Sequence, residues 1–400
     1  MMPVTSEREL SSWKAIAAHL GVGVRTAQDW ERTRGLPVRR LPGPRSPVRA
    51  SIGELDAWKN TTTAPDAPLS PVPTRRLRWA VAGLGGIVVL TTGFLWFLPG
   101  APVSYRVERN SLVVLDARGR ECWRTQPADI NTEAYAHRDL VWMGKLGGVS
   151  SVLFAVAPAR ADGESPLICY GKDGRERWRF TPGRAVRTRN EAFRGPFDVH
   201  QVLVGPLGRD GKTRVLVVSS HYLYYPCQVA LLDENGRVLR EYWHSGHFDH
   251  ALVTDRGRHV LVAGVNNATK MATLVSLDPD TMTGASREDN PDYQLQGFGP
   301  SKEVTRFLFP RSDINVRLEP YAIIDDLWDR DGEFTVVVNH RIPPRSAAVY
   351  YHLNHDLTLR EMVVASGFTQ MHAELFANRV LDHALDERET EALRMIRLGY

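Results

Sequence analysis

The chain has 400 residues, of which 43% are hydrophobic and 24% are charged. This length exceeds the usual size of one domain, and the ordinary apolar fraction excludes a disordered tail. The net charge is +4, but residues 1–78 carry 13 Lys and Arg against seven Asp and Glu, so the remainder sums to −2. The basic character therefore lies in the first fifth of the chain, which favours a nucleic acid or an anionic membrane surface as partner.

The spacing of the cysteines and the absence of catalytic motifs argue against several kinds of site. Cys122, Cys169 and Cys227 are far apart and show no CxxC or Cys/His spacing, so neither a disulfide framework nor a zinc site is indicated. Buried apolar thiols are the simplest interpretation. The sequence contains no GxSxG, HExxH, P-loop or dinucleotide-binding glycine motif. We therefore predict no enzyme activity, no cofactor and no metal. An enzyme of the cell envelope is the least favoured of the functions that we consider.

An uncharged run of twenty residues, WAVAGLGGIVVLTTGFLWFL, occupies positions 79–98. A helix of this length covers about 30 Å, the hydrocarbon thickness of a bilayer. Arg75, Arg76 and Arg78 precede the run. The positive-inside rule then predicts a single-pass protein of the inner (cytoplasmic) membrane, with its N-terminus in the cytoplasm and its C-terminal part in the periplasm. A buried core helix is the alternative.

The chain is thereby divided into four predicted segments. Residues 1–60 form a small cytoplasmic domain, and residues 61–78 form a Pro/Thr-rich linker with a basic membrane flank. The transmembrane helix follows at 79–98, and an extracytoplasmic domain occupies 103–400.

Two short amphipathic helices are predicted within residues 11–32. Ser11 or Ser12 caps the first helix, and Gly21 ends it. The second helix runs from about Val24 to Arg32. Helix, short glycine turn and helix make the helix-turn-helix layout, in which the second helix enters the major groove of DNA.

The predicted DNA contacts lie on the second helix and on a hairpin that follows it. Four helix residues spaced i, i+3, i+4 and i+7 share a face, where Arg pairs with guanine and Gln with adenine. Two short runs around a Pro/Gly turn predict a β-hairpin over residues 35–50, whose arginines suit phosphates. The predicted DNA-binding residues are Arg25, Thr26, Gln28, Asp29 and Arg32 in the helix, and Arg39, Arg40, Arg45 and Arg49 in the hairpin.

This region resembles a known family. The run SWKAIAAHLGVGVRTAQDWERTRGLPVRRLP, followed by the capping box Ser51–Glu54, is similar to the MerR/excisionase-type winged helix-turn-helix over about residues 9–60. The resemblance implies a small α-helical DNA-binding domain. Two residues depart from the family pattern: Gly23 replaces the usual Ser cap, and Asp29 replaces a residue that is more often basic. A degenerate module kept for protein contacts is the alternative.

Residues 103–400 read as an all-β domain of short strands separated by Gly, Asp and Asn turns. A degenerate repeat of strand, Asp/Gly turn and strand ending in Trp occurs at 112–123, 167–178 and 229–243, with weaker copies at 274–284 and 349–362. We predict a β-propeller of roughly five to seven blades. The pattern weakly resembles FG-GAP/VCBS or quinoprotein-like propellers, which implies that Trp123, Trp178 and Trp243 pack between blades.

Two stretches of this domain are candidate ion sites. Residues 329–333 (DRDGE) resemble the calcium loop of FG-GAP repeats but lack the first acidic ligand, so a plain turn is favoured. His244, His247 and His250 would cluster on a helix as a metal or pH-sensing site. Because no helical pattern surrounds them, loop histidines at a domain mouth are the favoured interpretation.

The predicted fold class is multi-domain: a small α-helical winged helix-turn-helix, a single transmembrane helix and a large all-β propeller-like domain. The predicted function is a bacterial membrane-anchored one-component transcriptional regulator. Its partners would be double-stranded DNA, the membrane and an unidentified extracytoplasmic ligand or protein, with a homodimer expected to enlarge the DNA contact. The alternative is a cell-envelope scaffold whose cytoplasmic module docks a protein.

Overall fold

The computed structural model describes residues 9–40, 48–61, 100–127, 129–318, 320–330, 332–340 and 346–399. The chain divides into two compact units, Met1–Thr91 and Thr92–Tyr400. Each unit has its own hydrophobic clusters.

The described residues of the first unit form three helices and a small sheet. The helices are α1 (Trp13–Leu20), α2 (Val24–Arg34) and α3 (Ile52–Thr61). The strands β1 (Glu9–Leu10), β2 (Arg39–Arg40) and β3 (Val48–Ser51) pair antiparallel in the order β1-β3-β2. Ser12 caps α1 by accepting a hydrogen bond from the backbone N–H of Ala15, and Gly21 ends it in the left-handed conformation at φ 71°. The predicted helices and the two hairpin strands are confirmed, whereas the hairpin turn at 42–45 lies outside the described residues.

The core of the first unit corrects the predicted fold class. Val48 and Ala50 of β3 are as deeply buried as Ile16, Ala17 and Leu55 of the helices, and all five belong to one cluster. The sheet is thus part of the core, and the prediction of a small α-helical domain was wrong. The hairpin strands β2 and β3 were predicted, but the pairing of β1 with β3 was not, because a strand of two residues is too short for a period-2 pattern.

The membrane prediction is also wrong on this structure. Among the helices of the described residues, none is long and apolar enough to cross a membrane. The predicted span at 79–98 and the linker at 61–78, apart from its first residue, lie outside the described residues.

The second unit is built from antiparallel sheets in which consecutive strands are neighbours. The first sheet contains β4 (Ser104–Glu108), β5 (Ser111–Leu115) and β6 (Glu121–Thr125). The second contains β7 (Val141–Leu146), β8 (Val149–Ala155), β9 (Leu167–Gly171) and β10 (Glu176–Phe180), and a short ladder joins β11 (Val186–Arg187) to β12 (Ala192–Phe193).

Three larger sheets follow along the chain. The third contains β13 (Phe197–Pro206), β14 (Thr213–His221), β15 (Cys227–Leu232) and β16 (Val238–His244). The fourth contains β17 (Gly246–Thr254), β18 (His259–Asn266), β19 (Met271–Leu277), β20 (Thr305–Phe309) and, beside β20, the last strand β25 (Arg397–Leu398). The fifth contains β21 (Ile323–Arg330), β22 (Glu333–Asn339), β23 (Ala348–Leu353) and β24 (Leu359–Val364).

Four helices complete the second unit and correct the prediction of an all-β propeller-like domain. They are α4 (Ala134–His137), α5 (Asp313–Arg317), α6 (Ser366–Ala377) and α7 (Glu387–Arg394). Ile314 of α5, Phe368 of α6 and Leu393 of α7 are buried in the same cluster as strands of the fourth and fifth sheets. The described residues are sheet-rich, with 43% strand and 18% helix, and form no closed barrel. The fold class is therefore a sheet-rich chain with several helices.

The predicted hairpin repeat is confirmed at 112–123, 167–178, 229–243 and 349–362, but not at 274–284, where β19 ends at Leu277 and the next strand begins at Thr305. Two tryptophans of the repeat, Trp123 and Trp178, link successive sheets. The Trp123 indole N–H donates to the Lys172 carbonyl at 3.1 Å, and that of Trp178 donates to the Glu234 carbonyl at 2.9 Å. Each ring covers a left-handed glycine, Gly174 or Gly236, where a Cβ would come within 3 Å of the indole. Trp243 differs, because it is fully buried against Phe197 and Phe298.

The three cysteines are free, as predicted. Cys169 and Cys227 are fully buried in strands β9 and β15, and Cys122 is partly exposed in β6. Burial raises the pKa of Cys169 to about 11 and that of Cys227 to about 12, so both remain neutral apolar thiols at ordinary pH.

Candidate nucleic-acid interface and histidine cluster

One face of α2 is fixed to the core of the first unit. Ala27 is fully buried, and the Trp30 ring packs against the Trp58 ring of α3 with centroids 5.7 Å apart. The Trp58 indole N–H donates to the Arg34 carbonyl at 3.1 Å, which ties α3 to the end of α2. These contacts set which side of α2 faces outward.

The outward side of α2 carries the predicted base-reading residues. Arg25, Thr26 and Gln28 are exposed, and none of the three has a hydrogen bond or ion pair with another described residue. Gly23 stands at the N-cap in an extended conformation, and no side chain caps the first turn. Backbone N–H groups at such a helix start, together with the helix dipole, favour an anion.

Asp29, the residue that departs from a basic face, is paired within the helix. Arg32 Nη2 donates to Asp29 Oδ1 at 3.0 Å, with both side chains more than half exposed. This pair cancels one charge of each sign on the face. The positive charge of the face then comes from Arg25.

The predicted phosphate-binding arginines are also engaged. Arg39 pairs with Glu54 of α3, and Arg49 Nη1 lies 3.4 Å from Glu9 Oε2. In the ladder between β2 and β3, Arg39 is opposite Arg49. Of the other two, Arg40 is placed by its backbone in β2, and Arg45 lies outside the described residues. The structure thus places Arg25, Thr26, Gln28, Asp29, Arg32, Arg39 and Arg49 in one small unit, where Arg32, Arg39 and Arg49 each pair with a carboxylate.

A histidine cluster that the sequence did not predict lies in the second unit. Ligand-type atoms of His200 in β13 and of His247 and Asp249 in β17 all lie within 4.8 Å of one another. His200 and Asp249 each occupy a β-bulge, since the register shifts across both residues. Asp325 stands at the same kind of shift in β21. A bulge adds one residue to a strand and turns its side chain out of the regular alternation, which is why spacing in the sequence does not reveal the cluster.

His247 is the centre of this cluster. Its Nδ1–H donates to the Tyr224 carbonyl at 2.7 Å, and its Nε2 hydrogen-bonds with Asp249 Oδ1 at 2.8 Å. Burial lowers the pKa of His247, but the bond to Asp249 outweighs it and raises the pKa above the ordinary value. Burial opposes ionisation of Asp249 as well, yet its pKa is lowered by His247. A cation, either a proton or a metal, is thus favoured between the two groups.

The pKa of His200 is shifted in the opposite direction to that of His247. It is buried, its Nδ1 has no hydrogen-bond partner among the described residues, and burial holds its pKa well below the ordinary range. A neutral imidazole with a free lone pair is a competent metal ligand. Nδ1 lies 3.5 Å from Asp249 Oδ1.

The structure also shows where the two candidate ion sites of the sequence lie, the histidine triplet at 244–250 and the acidic loop at 329–333. His244 is fully buried in β16 and stacks on Phe248 at 4.4 Å, whereas His247 and His250 lie in β17. The interpretation as loop histidines at a domain mouth was therefore wrong. In the loop at 329–333, the Gly332 N–H donates to Asp329 Oδ1 at 2.8 Å and Glu333 pairs with Arg360, as in a plain turn. Asp331 lies outside the described residues.

Replacing Asp198 beside this cluster is expected to stabilise the protein above neutral pH. Burial raises the pKa of Asp198 to about 6, against smaller opposite effects of Arg138 and His247. A carboxyl with a raised folded-state pKa binds protons more tightly in the folded state, so its contribution to stability falls as pH rises from about 4 to about 6. Asp198→Asn should raise Tm at pH 7.5 and leave it nearly unchanged at pH 4.

Thermal unfolding followed by tryptophan fluorescence at the two pH values measures this effect. The matched control is Asp289→Asn, because Asp289 is exposed. A Tm gain of Asp198→Asn that is equal at both pH values would show that the carboxylate charge is not its cause.

Comparisons with known proteins do not identify the chain. No known protein family matches it, and no curated protein matches it. It is similar to a crystal structure of the eukaryotic initiation factor at 10% identity and a TM-score of 0.28, covering 65% of this chain and 62% of that one. It is similar to the AfRom2 CNH domain at 11% identity and the same TM-score, covering 67% and 84%. The chain thus spans less than two thirds of the first of these structures.

These findings correct the predicted resemblances. The assignment of residues 9–60 to the MerR/excisionase-type winged helix-turn-helix was wrong as a family assignment, because no known family matches the chain. The FG-GAP/VCBS or quinoprotein-like propeller assignment was likewise wrong. The separate helices and strands, rather than a family, are the basis for any functional argument.

Proposed function

We propose that the first unit binds double-stranded DNA through the exposed face of α2, and that the chain is a one-component DNA-binding regulator. The second unit is then the part that responds to a ligand or protein. The observation that carries the proposal is the exposed Arg25 and Gln28 side chains, which stand without partners among the described residues on a helix anchored by its opposite face.

The dimensions and the chemistry of α2 support this proposal. An α-helix with its side chains is about 10–12 Å wide, and the major groove of B-DNA is about 12 Å wide. The Arg25 guanidinium suits the two acceptors of a guanine edge, and the Gln28 amide suits the donor and acceptor of an adenine edge. Both side chains belong to the first half of α2, and in helices that enter the major groove it is the early residues that contact bases.

Phosphate contacts are supplied by groups around this face. The uncapped first turn of α2 offers backbone N–H donors to a phosphate oxygen. Arg39 and Arg49 can exchange Glu54 and Glu9 for phosphates at low cost, because exposed ion pairs contribute only about 0–1 kcal/mol. DNA binding by this unit should therefore weaken steeply as salt rises.

A second candidate function is favoured by the same ion pairs. The contacts Arg32–Asp29, Arg39–Glu54 and Arg49–Glu9 place a negative charge beside three of the arginines on the surface of the first unit. A surface of mixed charge suits a protein partner as well as DNA, and the unit would then be a docking module of a binding or scaffold protein.

DNA binding by the full-length chain tests the proposal. The probes are a pool of random-sequence duplexes and the duplexes that the wild-type protein enriches from it, compared across a salt series. Arg25→Ala should reduce the preference for enriched over random duplexes about 5- to 150-fold. Arg49→Ala should weaken binding to both probes alike and reduce the salt slope by about one.

The matched control is Arg175→Ala, because Arg175 is 89% exposed in the second unit. It should bind DNA as the wild type does. Equal behaviour of Arg25→Ala and Arg49→Ala would refute the assignment of base and phosphate contacts. Absence of enrichment, with weak binding that does not depend on Arg25, would favour the docking module.

A further inference from the structure

A second group of metal-ligating side chains lies among the C-terminal helices. Its members are His372 of α6, His383 of the following loop and Glu389 of α7, and their ligand atoms all lie within 4.8 Å of one another. Asp313 of α5 adjoins them, with Oδ2 2.7 Å from His383 Nε2. We call these four residues the C-terminal histidine site.

The deepest two side chains have buried polar atoms without partners. His372 is fully buried and Glu389 is 6% exposed. His372 Nε2 and Glu389 Oε2 approach within 2.7 Å, yet their geometry is not that of a hydrogen bond. Neither these two atoms nor His372 Nδ1 has a hydrogen-bond partner among the described residues. Buried polar atoms left in this way are costly, so a missing partner is indicated.

The remaining contacts orient the ligand atoms. The His383 Nδ1–H donates to the Ala384 carbonyl at 2.8 Å, and Nε2 forms a hydrogen bond with Asp313 Oδ2 at 2.7 Å through a proton that a metal ion bound at Nε2 would displace. Glu389 Oε1 accepts the Asp313 backbone N–H at 3.1 Å, which leaves Oε2 for a ligand. His383 and Glu389 are thus each held by a second contact, as protein metal ligands usually are, whereas His372 Nδ1 has no hydrogen-bond partner among the described residues.

A cavity gives access to the site. It has a volume of about 700 Å³ and is lined by Asp313, His383 and Glu389. A cation in the cavity would therefore meet Asp313, His383 and Glu389, whereas the buried His372 is not among the lining residues. The side of the site that faces the cavity also has room for a water molecule or another small ligand.

We propose that the C-terminal histidine site binds a divalent transition metal ion, with Zn²⁺ as the best-matched species. Two imidazoles and one or two carboxylates are a ligand set that Zn²⁺ takes in proteins, usually with an open fourth position for water. Calcium is disfavoured, because it takes six to eight oxygen ligands.

The cluster of His200, His247 and Asp249 is the weaker candidate. There the close nitrogen and oxygen, His247 Nε2 and Asp249 Oδ1, form a regular hydrogen bond, and the Asp249 side chain is 47% exposed. A proton already satisfies that pair. In the C-terminal histidine site, the buried pair His372 and Glu389 forms no such hydrogen bond, and the one that is present joins His383 to Asp313.

Zn²⁺ binding to the full-length protein tests the inference, independently of DNA binding. The protein is stripped with a chelator and titrated with Zn²⁺ by calorimetry, and Tm is followed with and without Zn²⁺. The wild type should bind one Zn²⁺ per chain and gain thermal stability. Co²⁺ should give the visible absorption of a four-coordinate N/O site.

His383→Gln is the main variant, because this side chain is one third exposed and its replacement is compatible with folding. We expect Zn²⁺ affinity to fall at least about 100-fold and the Zn²⁺-dependent Tm gain to disappear. Glu389→Gln should show the same loss of Zn²⁺ affinity and of the Zn²⁺-dependent Tm gain. The matched control is His137→Gln, an exposed histidine of α4, which should bind as the wild type does.

Two results would overturn the inference. The first is equal Zn²⁺ binding by the wild type and His383→Gln. The second is folded wild-type protein that binds no Zn²⁺, in which case His372 and Glu389 are a plain ion pair. Loss of binding in His247→Gln but not in His383→Gln would place the metal at the other cluster and would also refute the assignment.

Discussion

Arg306→Met is expected to lower the free energy of unfolding of the second unit by about 3–5 kcal/mol, because it removes the cation of a buried charge cluster. The Arg306 side chain is 3% exposed, with Nε 3.0 Å from Glu303 Oε2 and Nη1 3.6 Å from Glu288 Oε1. Tyr242 adds a hydrogen bond from its hydroxyl to Glu303 at 2.8 Å. Met fills a similar volume, so the loss would come from two buried carboxylates left without their cation.

The loss of unfolding free energy in Arg306→Met should depend on pH. Burial raises the pKa of Glu288 even with Arg306 present. Without Arg306, the folded-state pKa of Glu288 should rise further above its unfolded value, so the destabilisation is complete at neutral pH and shrinks as pH falls through the folded-state pKa. Urea unfolding at pH 7.5 and pH 5 measures this difference.

Arg160→Met is the matched control, because its ion pair with Asp162 is exposed, and it should leave Tm unchanged. A small, pH-independent loss in Arg306→Met would mean that water or another cation screens the two carboxylates in the folded state.

Gly264→Ala is expected to destabilise the second unit by about 2–4 kcal/mol. A Cβ on Gly264 in β18 would lie 2.0 Å from the carbonyl oxygen of His247 in the neighbouring β17. The obstacle is backbone rather than the end of a flexible side chain, so the two strands must separate locally. That separation would also displace His247 from Asp249.

The matched control is Gly205→Ala in β13, where a Cβ meets no atom within 4 Å. This variant should keep Tm near the wild-type value. Unfolding in urea gives the free energies, and the pH titration of His247 by NMR reports its contact with Asp249. A Gly264→Ala protein with wild-type stability and an unchanged His247 titration would show that the strands are less closely paired than the structure indicates.

Local signals in the sequence determined many of the elements. Ser12 and Gly21 bound α1 because capping and the left-handed turn depend on single residues and their immediate neighbours. The Asp/Gly turns of the repeat predicted hairpins for the same reason, whereas the packing of Trp123 and Trp178 between sheets was implied only by the resemblance to propellers. For α2, the spacing of Arg25 and Gln28 sufficed to predict that both side chains share the outer surface of the helix.

Only the tertiary structure decided the sites of the second unit. His200 and Asp249 meet because a bulge in each of two strands shifts the alternation of side chains, and nothing in the spacing of residues fifty positions apart encodes that shift. His372 and Glu389 meet because two helices pack against the same sheets. Segments too short for a periodic pattern, such as β1 and β25, are likewise placed by the strands they pair with. Local conformation depends on adjacent residues, whereas burial, charge pairing and metal-ligand geometry depend on which distant elements pack together.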